Sequence, residues 1–326
     1  MNPETDLVDL EAVEPRQSAD PLPLLKDGVK RIEPLRSAWL LWSFVAFGNF
    51  VLFAAVVVGG FLLFPETPAV WITAGVVGLV AHCVFGAIKR GCEGKVRVAF
   101  DRWRADVFAF LERGAEFSAG GYMAASEFDN SGLNSAYYNR YSGSGYVQAR
   151  GLTASNLAIN HVYTKTEYYT DSNGNQGSRT VTVTDPVFHG ILIVTDAPLP
   201  CRGTVVVNDP HHGIGTLRKV QVASPHLKKS YAVGADEPFT GHRVLTPSLQ
   251  EALWEYRRGF KYLPRFAYRS GLLYVAIPGA SLDAGTCPTR FSPVTIARLE
   301  RVLVQCGELL AFLHASAERL RPETDD

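Results

Sequence analysis

Two long apolar stretches separated by a four-residue connector constrain this chain more than any other feature. Ala38 to Phe64 carries no charged residue across 27 positions, and Ala69 to Ile88 carries none across 20. A helix rising about 1.5 Å per residue needs about 20 residues to cross a hydrocarbon layer of roughly 30 Å, so each stretch is long enough. Neither has the polar stripe that a soluble core helix would show. Pro65-Glu66-Thr67-Pro68 leaves room for a tight turn only. The expected element is a transmembrane helical hairpin over residues 38–88, returning the chain to the side it left.

The flanks orient it. Lys26, Lys30, Arg31 and Arg36 precede the hairpin; Lys89, Arg90, Lys95, Arg97, Arg102 and Arg104 follow it, and the connector carries only Glu66. Short basic flanks stay on the cytoplasmic side and sit near anionic headgroups, so both termini are expected there. A cleaved signal peptide is not expected, because an acidic tail precedes an apolar run too long for an h-region.

Two polar residues lie inside the hairpin. Folding about the connector sets position 49 roughly opposite position 84, so Asn49 and His82 fall within about 3 Å of one depth. Ala74, Gly78, His82 and Gly86 recur every four residues, a stripe that lets helices approach. An interhelical Asn49–His82 hydrogen bond of about 0.6 to 2 kcal/mol is the expectation. Proton relay or metal capture is the alternative for an ionisable group in lipid, but this histidine has no carboxylate beside it.

The chain has 326 residues with 32 acidic and 32 basic, and zero net charge argues against nucleic-acid binding. Five cysteines without a C-x-x-C pair suit a reducing compartment and offer no zinc site. Met1 to Asp27 is acidic and Pro-containing, so residues 1–37 read as a disordered tail followed by the basic flank. Residues 93–117 follow helical spacing, with Val96, Phe100, Trp103, Val107, Leu111 and Phe117 on one face. Such a helix either lies on the inner leaflet or packs as a stalk; its mixed charges and continuity with the second apolar stretch favour the stalk.

Residues 118–326 read as a cytoplasmic α+β domain. Ser118 to Gly145 is Gly/Ser/Asn-rich, with Tyr122, Tyr137, Tyr138 and Tyr141 expected to pack on a sheet; it lacks a phosphate-loop pattern and a following helix. From Tyr146 to about Val233 short strands are expected, among them 164–169 and 178–184 around an Asn-Gly turn in Asp171–Asn175, then 204–207, 217–222 and 230–233. Thr246-Pro247 starts a helix reaching about Arg258. Strands 265–268 and 272–277 follow. The last helix spans 293–321 and carries Ile296, Leu299, Leu303, Cys306, Leu310, Leu313, Ala317 and Leu320 at heptad spacing, widened by Val302 and Leu309, so it docks on the sheet rather than pairing with itself. The expected fold class is membrane-anchored α+β: hairpin, amphipathic stalk helix, then a mainly antiparallel sheet with two packed helices.

No motif brings chemistry with it. His211 and His212 are adjacent but lack further ligands at metal spacing and read as an exposed turn. Gly279-Ala280-Ser281 is not a nucleophile elbow. Asp171, Asp185, Asp196, Asp209 and Asp236 sit in expected turns. No catalytic, cofactor-binding or metal-ligating set is expected, and no cofactor.

Val187-Phe188-His189-Gly190-Ile191-Leu192-Ile193 and Cys201-Arg202-Gly203-Thr204-Val205-Val206-Val207 form an F-x-G … G-x-T-x-V pattern. Val220 to Pro225, Tyr231 to Val233, Arg243 to Pro247 and Leu272 to Pro278 continue it. This ordered set resembles a bacterial membrane family known as domain of unknown function 3137, over roughly Leu35 to Pro278. The chain departs from the pattern at Gly241-His242, where strand residues are expected, and at Gly234 to Phe239. The resemblance implies a two-span hairpin in a bacterial inner membrane and no activity, substrate or catalytic residue. The functional expectation is a non-enzymatic binding or assembly module with the lipid bilayer, a membrane-protein partner or a homo-oligomer as partners. The alternative is an enzyme with a membrane-proximal site that leaves no sequence signature.

Overall fold

The computed structural model describes residues 20–63, 66–134, 136–170, 176–197, 203–283, 287 and 292–322. The expectations on residues 1–19, on Pro65, on the Asp171–Asn175 turn and on Cys201 fall outside them. The chain divides into two units: residues 16–110 with 284–306, and residues 1–15 and 111–283 with 307–326.

In the first unit, helix α1 (Leu22–Leu63) and helix α2 (Pro68–Leu111) run unbroken from the apolar stretches into charged sequence. Both are long and apolar enough to cross a membrane. They pack as the short connector dictates. Trp42 stacks on Phe85 with centroids 6.0 Å apart, and Phe50 lies 5.5 Å from the His82 ring. Gly78 and Gly60 are slots for rings: a Cβ at either would come within 2.2 Å of Phe53 or Trp71. Most of the remaining apolar surface faces outward; Leu62 is 77% exposed and Phe47 67%.

Past the apolar stretches, the charged halves of α1 and α2 pack with the start of the last helix, which runs Ile296–Arg319. Leu25, Ile32, Val96, Phe100, Trp103, Leu299, Val302 and Cys306 are buried. The expected apolar face is thus the buried one. Trp103 Nε1 donates to the Leu24 carbonyl at 3.1 Å, and Gly28 makes room for the indole, since a Cβ there would sit 2.5 Å from Nε1. Two boundaries are corrected. Residues 22–27, expected in the disordered tail, lie in α1, where Leu25 is buried. The stalk is the C-terminal part of α2, in keeping with its continuity with the second apolar stretch, but it ends at Leu111 rather than at residue 117, before Gly114 turns left-handed (φ 85°).

The second unit is built on an antiparallel sheet of nine strands among the described residues. In chain order they are β1 (Glu116–Ser118), β2 (Arg140–Ala149), β3 (Leu152–Thr170), β4 (Gln176–Asp196), β5 (Thr204–Asn208), β6 (Arg218–Lys219), β7 (Ala232–Ala235), β8 (Arg265–Arg269) and β9 (Leu272–Pro278). They lie in the order β1-β2-β3-β4-β9-β8-β5-β7-β6. Helices α3 (Ala125–Ser131), α4 (Pro225–Ser230), α5 (Pro238–Val244) and α6 (Pro247–Arg258) join them, and α7 (Ile296–Arg319) ends the described chain. Successive residues of a strand face opposite sides. Ala267 of β8 joins Phe128 of α3, Leu157, Phe188 and Leu192 in one core. Phe266 and Tyr268 face the other way, where Tyr268 Oη donates to the Leu320 carbonyl at 2.9 Å and Tyr256 of α6 contacts Phe266 and bonds Ser316 of α7 at 2.9 Å.

Strands 265–269 and 272–278, and the helix from Pro247 capped by Thr246 Oγ1 on the Leu249 N–H at 3.3 Å, stand where the sequence puts them. Elsewhere helices replace expected loop or strand. Residues 118–145 hold α3 and the start of β2; Tyr138 and Tyr141 pack on the core as expected. Ser230 closes α4 rather than opening a strand. The expected strand at 217–222 contracts to Arg218–Lys219. The departure at Gly241-His242 is α5: Pro238 presets its first turn, and Gly241 fits against Val220, whose side chain a Cβ would meet at 2.6 Å. Beyond Asn160 and Pro186, β3 and β4 pair only with each other, and no described residue of this ribbon is buried.

Candidate functional site

The most unusual polar environment of the sheet unit forms where β5 and β8 lie side by side. Val207 pairs with Phe266, so Asn208 and Arg265 fall on the neighbouring row. Asn208 is buried and its Nδ2 donates to the carbonyls of Leu133 (3.2 Å) and Gly213 (2.8 Å), which fixes the turn after β5. Asp209 then accepts from the His211 N–H at 2.9 Å, an Asx turn as expected. This turn carries His212 to Arg265: Nη2 donates to His212 Nε2 at 3.1 Å. The Arg265 guanidinium also stands over the Phe188 ring, 5.8 Å from its centroid. Arg265 is only 6% exposed, and its Nε and Nη1 meet no acceptor. Burial pulls its pKa below the ordinary arginine value, with Asp209 opposing. His212 is pushed down by burial and by Arg265, in keeping with a neutral ring that accepts through Nε2.

His211 is exposed, as expected; His212 is half-buried and serves a partner that no motif announces. The available signal for Arg265 is its alternation with Ala267 in β8, which puts a cation on a core face. Asp236 accepts from the Thr204 N–H at 2.7 Å, Asp185 lies within β4 rather than in a turn, and Ser281 is exposed. Among the described residues, no group of three or more His, Cys, Asp or Glu side chains converges to hold a metal.

Asn49 and His82 lie on facing helices at neighbouring depth, but the expected hydrogen bond is not made. Asn49 Nδ2 and His82 Nδ1 are both buried without a hydrogen-bond partner, and the imidazole lies against Phe50 instead. Equal depth does not suffice when an aromatic ring on the next residue occupies the approach.

Two charged ties stand apart from the Arg265 cluster. In the sheet unit, Glu112 accepts from the Arg150 N–H at 2.8 Å and bonds His314 Nε2 at 2.7 Å; burial alone would raise its pKa, but these contacts hold it below the ordinary carboxylate value. In the helical unit, Glu33 accepts from Arg36 Nε (2.8 Å) and the Val294 N–H (2.7 Å). The Arg36 hydrogen bond above all holds Glu33 down to about 2, against the opposing effect of burial. A carboxylate with a depressed folded pKa stabilises above its unfolded value, and that stability fades as pH falls toward the folded value. Acid unfolding followed by tryptophan fluorescence is therefore expected to show stability lost between pH 4.5 and about 2, a component absent in Glu33→Gln. At neutral pH that variant is expected to be about 1–3 kcal/mol less stable, since it weakens the charged pair with the buried Arg36. An unchanged acid limb would show that the tie contributes nothing.

These features define a class: an antiparallel α+β unit with a buried, uncompensated cation, joined to a helical unit with long apolar hairpin helices. Residues 186–310 match the family described as Protein of unknown function (DUF3137). No curated protein and no solved structure matches the chain. The motif glycines have physical reasons. Gly190 lies where β9 comes closest, and Gly203 adopts φ 141°, favoured by glycine, beside Thr240.

Proposed function

We propose that this chain is a bacterial inner-membrane protein whose hairpin anchors a cytoplasmic, non-enzymatic binding module. The anchor is supported by two helices whose apolar halves keep large side chains outward, where lipid rather than water is the favourable surrounding. The basic flanks orient it with both termini in the cytoplasm. The observation that carries the binding role is the β3–β4 ribbon from His161 to Asp185. Among the described residues both of its edges lack a neighbouring strand, and it presents Tyr168 (84% exposed), Tyr169 (51%) and Tyr163. Open strand edges and tyrosines are the features a protein partner uses, through backbone pairing and large rigid contacts. Fixing such a module at the bilayer raises its effective concentration toward other membrane components.

A photo-crosslinking residue at position 168 in the full chain, expressed in its native membrane, tests this. The expected result is one dominant crosslinked protein, at least fivefold reduced when Tyr163 and Tyr169 are replaced by alanine with the crosslinker kept at 168, and a chain that resists alkaline extraction. No discrete crosslink would overturn the binding role, and alkaline extraction of the intact chain would overturn the anchor.

A further inference from the structure

Arg265 is a buried guanidinium with no counter-ion. Among the described residues no carboxylate lies within ion-pair distance of it, and Asp209, whose charge it feels, uses Oδ1 on the His211 N–H. Phe188 takes the face of the group and His212 takes Nη2, leaving Nε and Nη1 directed at nothing that accepts. A fold that desolvates a cation without pairing it gives up much of the ion's hydration energy, and an anion that enters recovers it. His212 sits in the turn between β5 and β6, where Gly213 (φ 68°) and Gly215 (φ 61°) border open space and a Cβ on either would touch nothing within 4 Å. Uncovering the guanidinium requires this turn to release the Asn208 Nδ2 bond to the Gly213 carbonyl.

We infer that Arg265, backed by Phe188 and gated by the His212 turn, is a binding site for a small oxyanion. The ligand is a carboxylate or phosphoryl group, held by charge-assisted hydrogen bonds from Nε and Nη1, with His212 displaced from or sharing Nη2. The site lies on the sheet unit and does not depend on the hairpin or the ribbon.

Detergent-solubilised full chain, titrated calorimetrically with sodium acetate and with sodium phosphate at ionic strength held constant by sodium chloride, tests the assignment. The expected result is saturable binding of at least one probe, with a rise in Tm that follows its concentration. Tighter acetate binding marks a carboxylate ligand and tighter phosphate binding a phosphoryl one. Arg265→Met is expected to bind at least tenfold more weakly, yet to melt no lower than the wild type in chloride alone, because it removes an unpaired charge. Absence of binding by both probes, wild-type affinity in Arg265→Met, or a lower Tm of that variant in chloride would each overturn the inference. If Arg265→Met does not fold, Arg265→Lys, which keeps the charge and loses the fork, is expected to bind at least fivefold more weakly; unchanged affinity overturns it.

Discussion

Replacing Trp103 by alanine is expected to release the N-terminal half of α1 from its bundle. The indole is fully buried, tilted against Phe100 at 5.9 Å, and bonded through Nε1 to the Leu24 carbonyl. Gly28 leaves it a slot that it shares with Leu299 Cδ1. Truncating a buried tryptophan costs about 3–5 kcal/mol, and the cavity cannot close because the surrounding helices are held by their own contacts. The effect should be local. Trypsin is expected to cut at Lys26 and Lys30 at least tenfold faster in Trp103→Ala, and exchange of the α1 amides in residues 25–37 should accelerate while those in 40–60 stay protected. Tyr137→Ala, which truncates a largely exposed ring, is the control and should leave both unchanged. Equal cleavage in the two variants would show that the indole does not hold the bundle.

The second large effect is expected at Gly190. It pairs with Leu157 on one side and Pro278 on the other, so it lies inside the sheet rather than at an edge. A Cβ there would stand 2.1 Å from the Ile277 carbonyl oxygen and 2.9 Å from the Ile277 carbonyl carbon and Pro278 Cα. All three are backbone atoms, so no rotamer change relieves the clash, and β4 must move from β9. Gly190→Ala is therefore expected to destabilise the sheet unit by about 3 kcal/mol, the upper end for an overpacked core. Gly120→Ala, with open space around it, should stay within about 0.5 kcal/mol of the wild type. Thermal unfolding followed by far-ultraviolet circular dichroism measures both, and equal melting of the two variants would remove the close-approach account of this glycine.

How far each feature could be read in advance depended on how local its cause is. The hairpin register is local: a short connector and a constant helical rise place Phe53 at Gly78 and Gly60 at Trp71, close to the pairing expected of positions 49 and 84. The buried face of α2, with Val96, Phe100 and Trp103, follows from helical spacing in the same way. The α6 start at Thr246-Pro247 needs only a cap and a preset φ. By contrast, α5 looked like a strand because Gly241 and Val244 meet neighbours far away in the chain. Asn49 and His82 were placed at matching depth by counting, but whether their atoms meet depends on Phe50, which counting does not address.

The candidate site lies almost wholly on the non-local side. His211-His212 was visible as a pair, whereas the burial of Arg265 arises from strands more than 50 residues apart in the chain and from Phe188 on a third. The last helix shows the same division. Its heptad spacing was legible, but not that residues to Cys306 join the helical unit while Gly307 onward joins the sheet unit. By itself, then, the sequence determined the two long apolar helices, their pairing register, the antiparallel α+β class and the motif glycines, because each rests on periodicity, chain reach or backbone conformation. Only the tertiary structure decided which buried cation has no carboxylate at ion-pair distance among the described residues, which histidine faces it, and where the β3–β4 ribbon runs beyond its neighbouring strands. Those outcomes depend on what distant segments leave uncovered or unpaired, and no local pattern encodes that.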